Sequence, residues 1–141
     1  MLKITDLYNL KDIYDFQLSF KTPYFFDVSF DTWKKSFEDD IDGEGRELFK
    51  ELFVKAVYDS DKLVGFVQYG KSAFGFDDSG EISSDISYHI IRNLYFNEDR
   101  ADAGELLLNE SMQNLGTDKR VYAFFHYFGM TCFSRHGKLF E

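Results

Sequence analysis

Apolar and polar positions follow clear periods in several stretches, and each stretch predicts an element. Phe53-Val54-Lys55-Ala56-Val57-Tyr58 reads as a strand, Asp59-Ser60-Asp61-Lys62 as a polar turn, and Leu63-Val64-Gly65-Phe66-Val67-Gln68-Tyr69-Gly70 as the returning strand. Two β-rich runs around a short polar connection predict a hairpin. A longer apolar run from Ile86 to Phe96 predicts a further strand. Its alternation Ile86, Tyr88, Ile90 is broken by Ile91. Such a break fits a bulge or a strand covered on both faces. The run ends in Asn97-Glu98-Asp99-Arg100-Ala101-Asp102, a turn that opens into a helix at Ala103-Gly104-Glu105-Leu106-Leu107-Leu108. Val121 to Phe125 is the next strand, reached through Gly116-Thr117-Asp118.

Ahead of the hairpin, Leu2-Lys3-Ile4 forms a short first strand. Thr5 or Asp6 caps a helix that carries Leu7, Leu10, Ile13, Tyr14 and Leu18. Pro23 ends any helical run. Ser29 or Asp31 caps a second helix with Phe30, Trp33, Phe37 and Ile41 on one face, and Asp42-Gly43-Glu44-Gly45 breaks it. Phe74 to Gly80 is a loop. The chain shows no repeat, low-complexity tract or interdomain linker, so residues 1–141 read as one domain.

The junction at Arg100 carries the candidate chemistry. The first amides of a helix lack internal partners, and the helix dipole is positive at that end. A phosphate or pyrophosphate fits there. Arg100 stands just ahead of the helix, and Gly104 in its first turn would let a ligand approach the backbone.

Paired helices, hairpin, long strand, turn and helix follow in the order of the GNAT superfamily of N-acetyltransferases. The resemblance spans about Met1 to Phe125, with the hairpin carrying Leu63-Val64-Gly65-Phe66. The family's acetyl-CoA signature, [Gln/Arg]-x-x-Gly-x-[Gly/Ala], falls on Arg100-Ala101-Asp102-Ala103-Gly104-Glu105. Ala103 replaces the first Gly, and Glu105 stands where Gly or Ala is usual.

The resemblance implies an α/β fold: a central mixed, twisted sheet, helices on both faces, and splayed fourth and fifth strands. It implies acetyl-CoA as cosubstrate and direct transfer of its acetyl group to a primary amine on a small molecule or peptide. The pyrophosphate would sit on the amides of Ala101, Asp102, Ala103, Gly104 and Glu105, beside Arg100. The pantetheine arm would run along the kinked fourth strand. There the backbone of Leu94, Tyr95 and Phe96 would meet the thioester. The amine must lose a proton and the thiolate must gain one. His126 at the end of strand five is the candidate base or binding group, Tyr127 a candidate proton donor, and mid-strand His89 a candidate facing the acceptor. Tyr88 is a second candidate donor, and the resemblance makes Glu81 and Asp85 candidates for a carboxylate acting through water; all three also read as packing or solvated residues. The family's acid motif, sought at Phe133 to Lys138, would place Phe133 where a Tyr donates a proton.

Few residues follow Gly137 for the family's closing hairpin. The domain is therefore expected to lack its last strands. Neighbouring sequence or a homodimer is expected to cover the open edge.

Composition narrows the field. A net charge of −9 argues against a nucleic-acid partner held by phosphate neutralisation. A single cysteine, Cys132, excludes an internal disulfide and a multi-cysteine zinc site, and no metal is expected. No leader pattern or membrane-length apolar run is present, which points to the cytoplasm and away from a membrane. Two other readings stay open. One is a non-catalytic GNAT-like domain that binds CoA or serves interaction, within a larger tandem protein or alone; Glu105 and Phe133 favour it. The other is a PAS-type sensor, suggested by 17 Phe and 9 Tyr, which gives the Arg100–Gly104 turn no purpose.

Overall fold

The computed structural model describes residues 1–20, 29–39, 47–116, 118 and 121–123. Along the chain these form β1 (Leu2–Thr5), α1 (Leu10–Leu18), α2 (Phe30–Asp39), β2 (Phe49–Asp59), β3 (Lys62–Ser72), β4 (Gly75–Phe76), β5 (Ile82–Ser83), β6 (His89–Phe96), α3 (Ala101–Leu115) and β7 (Val121–Ala123). The main sheet runs β1-β2-β3-β6-β7. Its first three pairings are antiparallel, and β6 pairs with β7 in parallel. A parallel neighbour demands a crossover, and α3 supplies it.

Strand alternation explains why both faces are covered. Val57, Val67, Leu94 and Phe96 turn one way and pack with Ala103, Leu107 and Leu115 of α3. Ala56, Phe66 and Tyr95, one position along, turn the other way and pack with Ile13, Phe20 and Phe37. The fold is thus a mixed α/β sheet with helices on both faces. The second face is built largely of rings: Trp33 stacks on Phe37 with centroids 4.5 Å apart, and Phe66 on Tyr95 at 5.5 Å. The high Phe and Tyr content is core material here.

Local signals account for the element ends, with some corrections. Ser29 Oγ accepts from the Thr32 amide at 3.2 Å, capping α2 as expected. The first helix begins later than Thr5 or Asp6 predicts. Asn9 caps it instead, its Oδ1 accepting from the amides of Lys11 at 2.9 Å and Asp12 at 3.3 Å. Leu7 is therefore off the helix and 82% exposed. We expect Asn9→Ala to cost about 1 kcal/mol in a thermal melt, and Thr5→Ala markedly less.

The hairpin is longer than the alternation suggested, extending back to Phe49 and on to Ser72. Ser60 takes φ 57° at its two-residue turn. Within the expected loop from Phe74 to Gly80 lies β4, which pairs with β5 just beyond it. Asp77 closes the connection by accepting from the amides of Ser79 and Glu81, both at 2.9 Å.

β6 starts at His89 rather than Ile86, because Tyr88 is already turned to Ser72, whose Oγ accepts its amide at 2.8 Å. Every residue of β6 is buried. The strand also carries a bulge: Gln68 pairs with Asn93 and Tyr69 with Ile91, so Arg92 is extra. Both explanations of the broken alternation hold together. β7 pairs with β6 from His89↔Val121 to Ile91↔Ala123. Phe124 and Phe125, where the splay and the open edge were expected, lie outside the described residues, as do Ile41 and everything after Ala123.

Candidate functional site

The site is built on β6 and on the turn that leaves it. Asn97 holds that turn to the sheet, its amide donating to Val64 O at 3.1 Å, and the Arg100 amide closes it on Asn97 O at 2.8 Å. Arg100 then occupies the N-cap of α3 without capping through its side chain. The guanidinium instead reaches back to the hairpin. Nη1 donates to Asp59 Oδ2 at 2.6 Å, while Nε and Nη2 grip Asp102 at 3.2 and 3.3 Å. The Met1 ammonium takes the other Asp59 oxygen at 3.1 Å. One end of the sheet therefore holds two cations and two carboxylates.

Hydrogen bonds from Arg100 hold both carboxyls below the usual range, and the Met1 ammonium adds to this at Asp59. The same contacts raise the Arg100 guanidinium. A depressed carboxyl stabilises the fold above its unfolded value, about 3.9, and loses that effect as pH falls through the lower folded value. We expect the melting temperature to decline in this window below about pH 4, and Arg100→Ala to flatten that decline.

The helix amides are partly engaged. Ala103 and Gly104 donate to Arg100 O at 3.0 and 3.3 Å, and the Ala103 amide also meets Asp102 Oδ1 at 2.9 Å. Ala101 and Asp102 donate to no backbone carbonyl outside the helix among the described residues. Glu105 is exposed. Gly104 answers to packing: a Cβ there would come within 2.6 Å of the Phe96 ring. Close approach of α3 to β6 is sufficient to account for the glycine in this structure.

Further back on β6, the bulge carries a buried polar group. Gln68, Arg92 and Asn93 are 1%, 4% and 6% exposed. Asn93 Nδ2 donates to Gln68 Oε1 at 2.8 Å, and Gln68 Nε2 donates to Phe37 O at 2.6 Å. On the same face, Gln17 Oε1 accepts from Trp33 Nε1 at 3.0 Å, and Gln17 Nε2 lies 3.4 Å from the Tyr95 hydroxyl. A separate cavity of about 500 Å³ opens between α1 and the hairpin end, lined by Asp12, Asp15, Phe16, Tyr58, Asp61 and Asn97 among others.

No family model and no curated protein matches the chain. Solved structures that do match include two of an aminoglycoside acetyltransferase from an uncultured soil metagenomic sample, one in complex with sisomicin and one with trehalose. Their TM-scores are 0.53 and 0.52 at 16% identity, over 87% of this chain and 78% of theirs. This chain has an acetyltransferase-like fold.

Within that fold the predicted site residues separate into groups. Arg100, Ala101, Asp102, Ala103, Gly104 and Glu105 do form one strand-to-helix junction. Leu94, Tyr95 and Phe96 bury their side chains, Leu94 and Phe96 under α3 and Tyr95 under α1, so only their backbone is left for a ligand. His89 does not face an acceptor cleft. It is fully buried, and its Nε2 lies 2.8 Å from Asp118 Oδ1. It pins the connection after α3 to the start of β6, which is a structural duty. Glu81 and Asp85 are exposed loop residues. His126, Tyr127 and Phe133 lie outside the described residues.

Gln68 and Arg92 were not among the predicted candidates. Their signal was present all the same: each is a large polar side chain inside an otherwise apolar strand, where burial is costly unless every polar atom is bonded. No helix among the described residues is long and apolar enough to cross a membrane.

Proposed function

We propose that this protein is an acetyl-CoA-dependent N-acetyltransferase of the GNAT type, moving the acetyl group directly to a primary amine. The observation that carries this is the bulge at Arg92, on the strand that leads into α3, within an acetyltransferase-like fold. The β6–β7 pairs run as far as Ile91↔Ala123, where the described residues end.

In this reading each part of β6 has a task. The edge from Asn93 to Phe96 lines up the pantetheine arm by backbone bonds. An amide at the bulge donates to the thioester oxygen, where charge develops as the amine attacks. The C–N bond forms, the tetrahedral intermediate collapses, and the C–S bond breaks. The amine releases its proton and the departing thiolate takes one, with His126 and Tyr127 as the candidate groups for those transfers. The N-terminus of α3 and Arg100 hold the pyrophosphate. A net charge of −9 raises the local concentration of a cationic amine.

One observation favours a second reading, a domain that binds CoA weakly or not at all and serves interaction. Arg100 already pairs with Asp59 and Asp102, and a phosphate must compete with both. Calorimetry with acetyl-CoA, followed by thiol release over an amine panel that includes sisomicin, separates the readings. Binding with turnover on any amine supports the enzyme. Binding without turnover supports the module. No heat with acetyl-CoA removes the cofactor from both.

A further inference from the structure

Gln68 sits on β3 directly opposite Asn93, the first paired residue beyond the bulge. It faces the side of the sheet covered by α1 and α2, among Phe66, Tyr95 and Phe37. In such surroundings a leucine would pack as well. A glutamine costs desolvation unless its amide is bonded, and here both its nitrogen and its oxygen are. Nε2 donates to Phe37 O at 2.6 Å. Oε1 accepts from Asn93 Nδ2 at 2.8 Å and from Arg92 Nη1 at 3.4 Å. Arg92 Nη1 also donates to Phe37 O at 3.3 Å, and its guanidinium lies over the Phe49 ring at 5.3 Å.

The carbonyl they share has a particular place. Phe37 is in the last turn of α2, whose final four carbonyls have no acceptor role inside the helix. Gln68 and Arg92 supply the missing donors from the sheet. One amide therefore touches the extra residue Arg92, its neighbour Asn93 and the C-terminal end of α2. A bulge can slide along a ladder unless something fixes which residue is extra. Gln68 marks Asn93 as the partner of β3 and leaves Arg92 as the extra residue.

We infer that Gln68 is a positioning residue: it locks the bulge at Arg92 and ties it to the end of α2, so that β6 and α2 hold one mutual geometry. The catalytic sense of this rests on the acetyltransferase reading, in which the bulge presents the amide that meets the thioester. The pyrophosphate would be held elsewhere, at α3. Loss of Gln68 should then impair the acetyl-transfer step far more than cofactor binding.

Two substitutions test it. Gln68→Leu keeps the volume and removes all polar contacts. Gln68→Glu keeps an acceptor for Asn93 and Arg92 but has no donor for Phe37 O. Amide hydrogen exchange in the free protein is read at α2 and at residues 91–94, beside steady-state kinetics with acetyl-CoA and the best amine. For Gln68→Leu we expect exchange to rise at least tenfold in both places. We also expect kcat to fall at least tenfold with KM for acetyl-CoA changed less than twofold. Gln68→Glu should restore protection at 91–94 while the end of α2 stays fast.

Unchanged exchange at α2 in both variants would overturn the proposal. So would a uniform rise across all strands, which signals general destabilisation. If Gln68→Leu does not fold, the split pattern of Gln68→Glu decides. The exchange measurement needs no substrate. Wild-type protein without turnover on any amine would therefore remove the acetyltransferase reading alone, while the exchange pattern still decides for or against the lock.

Discussion

Replacing Gly104 by valine is expected to lower stability by about 1–3 kcal/mol, or roughly 3–12 °C in melting temperature. Gly104 lies in the first turn of α3 and is buried against the end of β6. A Cβ would stand 2.6 Å from one Phe96 ring atom and 2.7 Å from two others. Phe96 is only 5% exposed and packed within the α3 core, so its ring has little room to withdraw. The helix must then lift from the sheet, or the ring must leave its rotamer. Alanine isolates the terms: it gains up to about 1 kcal/mol of helix propensity over glycine yet brings the same first clash. We expect Gly104→Ala to fall between wild type and Gly104→Val. A double variant with Phe96→Ala should cost less than the sum of the two single changes, since the small side chain vacates the space. Additive losses would show that the ring and the glycine are not in conflict. Acetyl-CoA binding should weaken in Gly104→Val as well, through displacement of the helix end rather than through a side chain in the phosphate path.

Arg100→Ala is expected to weaken acetyl-CoA binding by about 1–3 kcal/mol, the range for a charge-assisted hydrogen bond. The Arg100 side chain is 25% exposed and its guanidinium is anchored on Asp59 and Asp102, which sets its position beside the α3 amides before any phosphate could arrive. Those same carboxylates oppose the phosphate. Asp59→Asn should therefore act in the opposite direction, tightening binding several-fold, and raised salt should narrow the difference. Melting of either variant near neutral pH should fall only modestly, by about what acidification removes from the wild type, because partly exposed ion pairs contribute little to stability. Calorimetry reads all of this directly. An unchanged dissociation constant in Arg100→Ala would place the pyrophosphate away from this turn. Weakened binding in Asp59→Asn would make the carboxylate a partner in holding Arg100 rather than a competitor.

The expectations that held rest on short-range rules. The hairpin was legible because β-rich runs flank Asp59 to Lys62, and the α2 cap because Ser29 can reach the Thr32 amide. The break at Ile91 announced a change in strand register. Of those that shifted, the α1 cap turned on a neighbouring residue and the others on distant contacts. Asn9 displaced Thr5 and Asp6 as the α1 cap, with Leu7 left in solvent. His89 was legible as a histidine in a strand, but its pairing with Asp118 joins residues 29 positions apart. Gly104 was legible as a glycine in a first helical turn, but nothing local says that the Phe96 ring packs against it.

By itself the sequence determined which segments become strands and helices, the turn from β6 into α3, and the placement of Arg100 at that junction. These follow from side-chain periodicity and from residues within a few positions of one another. Tertiary structure alone decided the partners: Arg100 with Asp59 across 41 positions, and Gln68 with Phe37 across 31. Backbone periodicity states which way a side chain points, whereas the donor or acceptor waiting there is set by how separate elements pack.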